Sequence, residues 1–568
     1  MVRLDGNPFF LDEQAQSWVR ETLAGMTQEE KIGQIFCETI WNCSEEEEDL
    51  AFHGIMPGGI MFRGGSREVI GQYVERMNGR SRIPLLISGN FETGGNGVLT
   101  DGTFMGSQMQ IAAANDREYA HRLGQVCSLE GAEAGCNWSY APVIDINYNF
   151  MSPVTCTRTY GSDPDTVLQM AQAYMQGCHE NHMAVSVKHF PGDGMDFRDQ
   201  HWLASVNTKS VEDWDATYGK VYRGMIEAGA DSVMAAHIKC PAYSRYFCPE
   251  IADQDIMPAS LAPELLGGLL RGKLGFNGVI VSDDTHMAGF TNAMPREQAV
   301  PGTIAAGVDM LLFTVNHDED VAYMKKGVEE GIITPERLDE AVTRILALKA
   351  KLGLHRAAEK TPETAPNGAA DADRRWKALR KEHDRLAYDC ADRAVTLVKD
   401  RGNLLPLTPQ KYPRILLVRI ESVASCRYSS DPQYEQFMQG LREEGFVVSE
   451  IDLDEIPSIG KGGATFRELR EKYDLMLYYL GAKAGYRIVW KSVVMGEIPS
   501  YTQEIPTMAV SFQSPYMLMD IPMVTTYINA YTETRYTCRA VLDKITGKSE
   551  FHGVSPVDPF CGMWDLAL

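Results

Sequence analysis

Two aspartates, Asp283 and Asp284, stand directly behind the apolar run 279–282. A carboxylate at a strand end can be a nucleophile, a base, a metal ligand or a helix cap, and position alone leaves all four open. A second cluster closes the run 185–190. Lys188 and His189 are neighbours there, so they face opposite ways unless the strand bends. Pro191-Gly192-Asp193-Gly194 then forces a loop. On that loop Asp199 and His201 are two apart. A carboxylate so placed can hold one imidazole nitrogen, orient the ring and raise its basicity. The pair suits acid/base work; together with Asp193 and Asp196 it also reads as a zinc or manganese ligand set, or as a solvated pair. Arg158 precedes Gly161-Ser162-Asp163-Pro164 and can clamp a polar ligand or pair with a surface acid. After the run 85–88, four glycines fall within residues 89–97, around Asn90. They let backbone approach a ligand closely, but the Lys-Ser/Thr pair of a phosphate-cradling loop is missing, which excludes nucleotide binding.

These clusters need strands to carry them. Eight apolar runs recur at 32–36, 59–62, 85–88, 138–146, 185–190, 232–238, 279–282 and 310–315. Helical patterns fill most gaps, at 14–26, 69–78, 117–134, 164–181, 211–228 and 335–352. The runs are apolar nearly throughout, as in a parallel sheet covered on both faces. Residues 1–354 therefore predict a (β/α)8 barrel, whose active site lies at the C-terminal ends of its strands. Residues 355–375 are poor in large apolar side chains and read as a linker. Over 376–568 a long helix is followed by apolar runs at 415–420, 447–451, 475–479, 507–511 and 523–527. That alternation predicts a smaller α/β/α sandwich. The acidic stretch 45–49 reads as a solvated loop or helix face.

The chain has 568 residues, with 54 Lys+Arg against 77 Asp+Glu, a net charge of −23. Such a surface repels phosphate backbones and argues against a nucleic-acid partner. The 12 cysteines include no CxxC pair and suggest reduced thiols. The first residues hold no apolar leader core, and no run approaches the roughly 18 residues that span a bilayer. A cytoplasmic protein without a membrane partner is expected.

Taken together the motifs resemble those of a known family. Lys188-His189-Phe190-Pro191-Gly192-Asp193-Gly194 with Asp199-Gln200-His201 is similar to the Lys-His-Phe-Pro-Gly-His-Gly…Asp-Ser-His signature of bacterial β-N-acetylglucosaminidases in glycoside hydrolase family 3. Gly275-Phe276 to Met287 resembles that family's nucleophile segment, Arg158-Thr159-Tyr160-Gly161-Ser162-Asp163-Pro164 its Arg-Ser-Phe-Gly-x-Asp-Pro segment, and Ala141-Pro142-Val143-Ile144-Asp145 also fits. The likeness runs over roughly residues 20–350. A weaker one, through Asn403-Leu404-Leu405-Pro406-Leu407, covers the second domain. The resemblance implies a retaining exo-β-glycosidase that needs no cofactor or metal. Asp283 would form a covalent glycosyl-enzyme, and His201, held by Asp199, would serve as acid and then base. Lys188, His189, Arg158, Asn90 and Met287 would line the sugar, a small carbohydrate ending in β-linked N-acetylglucosamine or a related unit.

The chain departs from the family pattern in three places. Asn90 replaces an acidic hydroxyl ligand, the arginine expected after the paired glycines is absent, and Asp193 replaces the loop's second histidine. Two alternatives follow: a phosphorylase, in which phosphate replaces water, and a catalytically weak sugar-binding homologue. The part played by the second domain, and whether the chain forms a homodimer, are not decided by the sequence.

Overall fold

The computed structural model describes residues 2–359, 369–420, 432–450, 463–481 and 501–568. They fall into two compact units. The first comprises Met1–Phe104, Ala120–Ser152 and Pro164–Lys381; the second comprises Met105–Tyr119, Pro153–Asp163 and Glu382–Leu568. The units thus do not follow the uninterrupted ranges expected from composition. Segments 105–119 and 153–163 join the second unit through hydrogen bonds: Ser107 N donates to Thr532 Oγ1 (2.8 Å) and Ser162 N to the Pro556 carbonyl (3.2 Å).

In the first unit the strands are β1 (Phe36–Ile40), β2 (Gly59–Phe62), β3 (Leu86–Gly89), β4 (Trp138–Ser139), β5 (Ala184–Phe190), β6 (Ser205–Val206), β7 (Ser232–Ala235), β8 (Ile238–Lys239), β9 (Val279–Ser282) and β10 (Leu311–Leu312). Eight of them form one parallel sheet in the order β10-β1-β2-β3-β4-β5-β7-β9, and a bridge between Val281 and Met310 joins its two ends. β6 and β8 pair only with each other. Every residue of β2, β3, β5, β7 and β9 is buried, because side chains inside the ring and helices outside it cover both faces. This is the expected (β/α)8 barrel.

The first strand begins later than its apolar run suggests. Thr27 and Glu30 form a reciprocal capping box that opens a helix over Gln28–Gln34, so Ile32 is a buried helical residue and pairing starts at Phe36. The Thr-x-x-Glu signal stands in the sequence, and the apolar spacing fits either period. The runs 138–146 and 310–315 each supply only a two-residue strand and one isolated bridging residue, Val143 and Met310 respectively. The stretch 211–228 divides at Thr217 into Val211–Ala216 and Tyr218–Glu227. The acidic stretch is a helix, Glu45–Ala51, and Glu48 is its exception to solvation: it is buried and paired with Arg76 and Arg80.

The second unit carries β11 (Thr396–Asp400), β12 (Arg414–Ile420), β13 (Val447–Glu450), β14 (Leu475–Leu480), β15 (Thr507–Ser511) and β16 (Thr526–Asn529), in the order β11-β16-β15-β14-β12-β13. All pairs are parallel except β11 with β16. Alternate residues of β14 feed two cores: Leu475, Leu477 and Tyr479 meet the helices Pro432–Glu443 and Arg535–Ile545, while Met476, Tyr478 and Leu480 meet Leu469 and Leu518. That two-sided burial is the three-layer α/β/α sandwich.

The N-terminal ends of the barrel strands hold the most fully paired charges. Asp309, wholly buried before β10, accepts Arg271 (2.6 Å), Arg337 (2.6 Å), Arg344 (3.3 Å) and the Ile280 N–H (2.9 Å). Burial alone would raise its carboxyl; the three guanidiniums outweigh that and hold it below the usual range. Among the described residues, Asp309→Ala leaves only Glu340, paired with Arg337 and Arg344, to balance three arginines, and should cost about 3–5 kcal/mol. Denaturant unfolding should show it as a lowered midpoint; a loss below about 1 kcal/mol would mean that water replaces the carboxylate.

Candidate active site

The acid pair behind β9 splits into two roles. Asp284 Oδ1 accepts the His286 N–H (2.8 Å) and faces its ring Nδ1 (3.0 Å), which closes a local turn; the short helix that follows, Ala288–Thr291, has no side-chain cap. Asp283 is buried. Its Oδ1 accepts the Asp284 N–H (2.8 Å), while its Oδ2 is buried with no hydrogen-bond partner among the described residues. Burial pushes this carboxyl up; the His189 and His237 imidazoles, the Asp284 N–H and Lys188 outweigh it and keep the group below its ordinary value. The result is an ionised carboxylate whose Oδ2 is hydrogen-bonded by no described protein group, in the field of basic side chains.

β5 delivers two of those side chains. The ladder with β7 shifts register between Val187 and Phe190, which is the bend that the Lys188-His189 pair requires. Lys188 Nζ pairs with Glu92 Oε1 (2.7 Å) and donates to Asn90 Oδ1 (3.2 Å). Asn90 therefore stands beside a buried ammonium, and Glu92 supplies the negative charge that Asn90 lacks. His189 Nδ1 meets Asp145 Oδ2 (2.6 Å), and Asp145 Oδ1 accepts the N–H groups of His189 (3.0 Å) and Asp193 (2.8 Å). Asp145 thus fixes both the ring and the start of the following loop. Its role was legible only as part of a motif, since its partner lies 44 residues away.

The loop turns tightly. Gly192 and Gly194 take φ values of +113° and +100°, and a Cβ on Gly194 would lie 2.0 Å from the Ile146 carbonyl oxygen. Farther along, Asp199 Oδ1 accepts the His201 N–H (2.8 Å) and ring Nδ1 (2.5 Å). Nδ1 then carries the proton, and the carboxylate fixes the orientation of the ring. Two backbone bonds tie this loop to the segment behind Asp283: Ala288 N donates to the His201 carbonyl (3.1 Å) and Gly289 N to that of Gln200 (3.0 Å). The Asp193/Asp196/Asp199/His201 set does not gather as a ligand cage. Asp196 is engaged by Arg198 and the Val206 N–H, and among the described residues no group of three or more His, Cys, Asp or Glu is spaced for a metal ion.

His237 is a site residue that sequence reasoning missed. It is buried behind β7, where burial holds its pKa down. Its Nε2–H donates to the Asp284 carbonyl (2.8 Å), and Nδ1 faces Ser260 Oγ (2.8 Å). The signal was a histidine within the sixth apolar run. The glycines near Asn90 serve packing: Cβ atoms on Gly95 and Gly97 would collide with Glu130 and with the Asn90 carbonyl. Met287 N bonds the Asp284 carbonyl (3.2 Å), and the residue is partly exposed. Arg158 ends a short turn, Cys156–Arg158, in a segment of the second unit, and its place at the sugar remains an expectation.

Residues 27–348 match the profile described as the Glycosyl hydrolase family 3 N terminal domain. Over 577 aligned residues, covering 100% of both chains, the protein is 43% identical to a "Beta-N-acetylglucosaminidase/beta-glucosidase" of Cellulomonas fimi. It is 31% identical to a "Beta-hexosaminidase" of Tolumonas auensis over 49% of this chain and 81% of that one. Among solved structures, a "Beta-glucoside phosphorylase BglX" shares 41% identity with a TM-score of 0.91, covering 99% of both chains. A β-N-acetylglucosaminidase from Paenibacillus sp. str. FPU-7, at 24% identity and a TM-score of 0.77 over 94% of this chain and 99% of that one, shares the fold. With the barrel matched almost from end to end and a relative aligned over its whole length, the chain belongs to glycoside hydrolase family 3 and is a glycosidase.

Proposed function

We propose that this glycosidase removes a terminal β-linked sugar, N-acetylglucosamine or glucose, through a covalent intermediate on Asp283. Asp283 Oδ2 attacks the anomeric carbon as the glycosidic bond breaks, and His201 Nε2–H passes its proton to the departing oxygen. The same nitrogen then takes a proton from water, whose oxygen displaces the Asp283 carboxylate and restores the original anomeric configuration. Asp199 holds the imidazole throughout. Lys188, His189, Asn90 and Met287 bind sugar hydroxyls or line the ring. The observation that carries this reading is the bare, buried Asp283 Oδ2, ionised beside Lys188 and His189. The names of the full-length relatives support both sugars. We also place the enzyme in the cytoplasm, supported by eleven free cysteines among the described residues, and without a nucleic-acid partner, given the charge of −23.

A second reading, phosphorolysis, is favoured by the likeness to the β-glucoside phosphorylase and by the imidazole base. A neutral imidazole repels an incoming phosphate less than a carboxylate does.

Aryl β-glycosides of N-acetylglucosamine, glucose, xylose and N-acetylgalactosamine should include at least one good substrate. Asp283→Asn should lower its kcat/KM by about 10³-fold or more; a variant that keeps its activity would remove Asp283 from the reaction. A 2-fluoro glycoside that reacts slowly should leave its sugar on Asp283, seen by peptide mass. Because Asp283 is held below its ordinary value of 3.8, the acid limb of kcat/KM should lie below pH 3.8; a limb above that value would mean that the carboxylate is not held down. Product analysis separates the acceptors. Free sugar formed equally with and without phosphate supports hydrolysis, and sugar 1-phosphate replacing it assigns phosphorolysis.

A further inference from the structure

Residues 197–203, which bear the Asp199–His201 pair, are mostly open to solvent. The His201 and Asp199 side chains are 46% and 22% exposed, and Phe197, Trp202 and Leu203 lie 65%, 71% and 55% open to solvent. Gln200, between the two, is the exception: it is fully buried. The family signature quoted above has serine at this place.

Gln200 touches both neighbouring strand ends. Its Oε1 accepts the backbone N–H of His237 behind β7 (2.9 Å), and its carbonyl accepts that of Gly289 behind β9 (3.0 Å). The fit at Gly289 is close: a Cβ there would stand 2.8 Å from His237 Cβ and 3.0 Å from the Gln200 carbonyl oxygen. His237 continues the connection through Nε2 to the Asp284 carbonyl, and the Asp284 N–H holds Asp283 Oδ1. One unbroken series of hydrogen bonds thus runs from the segment of His201 to the carboxylate of Asp283. A serine hydroxyl is two bonds shorter than the glutamine amide and would not span this gap. Among the described residues the buried Gln200 amide nitrogen has no hydrogen-bond partner, which costs stability. The side chain's contribution therefore lies in where it puts the loop.

We propose that Gln200 is a positioning residue that pins the acid/base loop to the nucleophile's segment and so registers His201 Nε2 on the departing glycosidic oxygen. The inference rests on the roles given to His201 and Asp283 above. Misplacing a catalytic group by about 1 Å can cost on the order of 100-fold, and the loss should fall on the step that needs the proton.

The test compares full-length wild type, Gln200→Ala, Gly289→Ala and His201→Ala on two glycosides of the sugar that wild type cleaves best. A phenyl β-glycoside needs the acid, whereas a 2,4-dinitrophenyl β-glycoside leaves unaided. His201→Ala should lower kcat/KM for the phenyl glycoside by about 10²–10⁴-fold more than for the dinitrophenyl one. Gln200→Ala and Gly289→Ala should each show the same selectivity, with an extra loss of at least about 10-fold on the phenyl glycoside. Hydrogen exchange over residues 197–203 should quicken in both. If His201→Ala shows no selectivity, the acid role itself has failed. If it does, while the other two variants lower both substrates equally or leave both unchanged, the role of Gln200 is overturned. Should Gln200→Ala not fold, Gln200→Met, which fills the space but accepts no hydrogen bond, decides together with Gly289→Ala.

Discussion

Everything at the C-terminal end of the barrel answers to one electrostatic constraint: a carboxylate kept charged inside a protein with one oxygen left bare. Burial alone would protonate Asp283, and a direct ion pair would quench it. The structure takes a third course. Positive charge and hydrogen-bond donors from three strand ends surround the group, while its Oδ2 stays uncovered. A nucleophile needs that condition, and it can be met only where several elements converge.

The opposite end of the barrel shows the alternative. Asp309 receives three guanidiniums and a backbone N–H, and Asp231 receives His179, Lys351 and the Val185 N–H. Those carboxylates are saturated and contribute to holding the ring together. Asp283 is also buried, though unsaturated. Position along the strand therefore separates stabilising from reactive charge, even though both ends use the same residue types.

The site is organised by partners rather than by single residues. Asp145 orients His189, Glu92 balances Lys188 beside Asn90, Asp199 orients His201, and His237 links the segments behind β7 and β9. Glu92 also makes the exchange of an acid for Asn90 less drastic than it reads in the sequence, because the acidic partner of Lys188 sits two residues away.

Much of this was legible in the residues. The apolar runs predicted both sheets because strands covered on two faces leave no alternation to misread, and the candidate residues stood where those runs ended. The errors came where local patterns compete. Ile32 fits a helix or a strand until the Thr27–Glu30 box is weighed, and a short run cannot say how many of its residues will find a partner strand. What the chain alone determined was the kinds of chemistry available and the order of its elements, since both are carried by composition and short-range period. Which aspartate of the 283–284 pair engages its neighbours and which keeps a bare oxygen, that Asp145 belongs to His189, and that His237 and Gln200 meet were decided only by the closed barrel. Each depends on atoms that closure brings together across 37 to 47 residues of chain or on the burial it creates, and no local pattern encodes either.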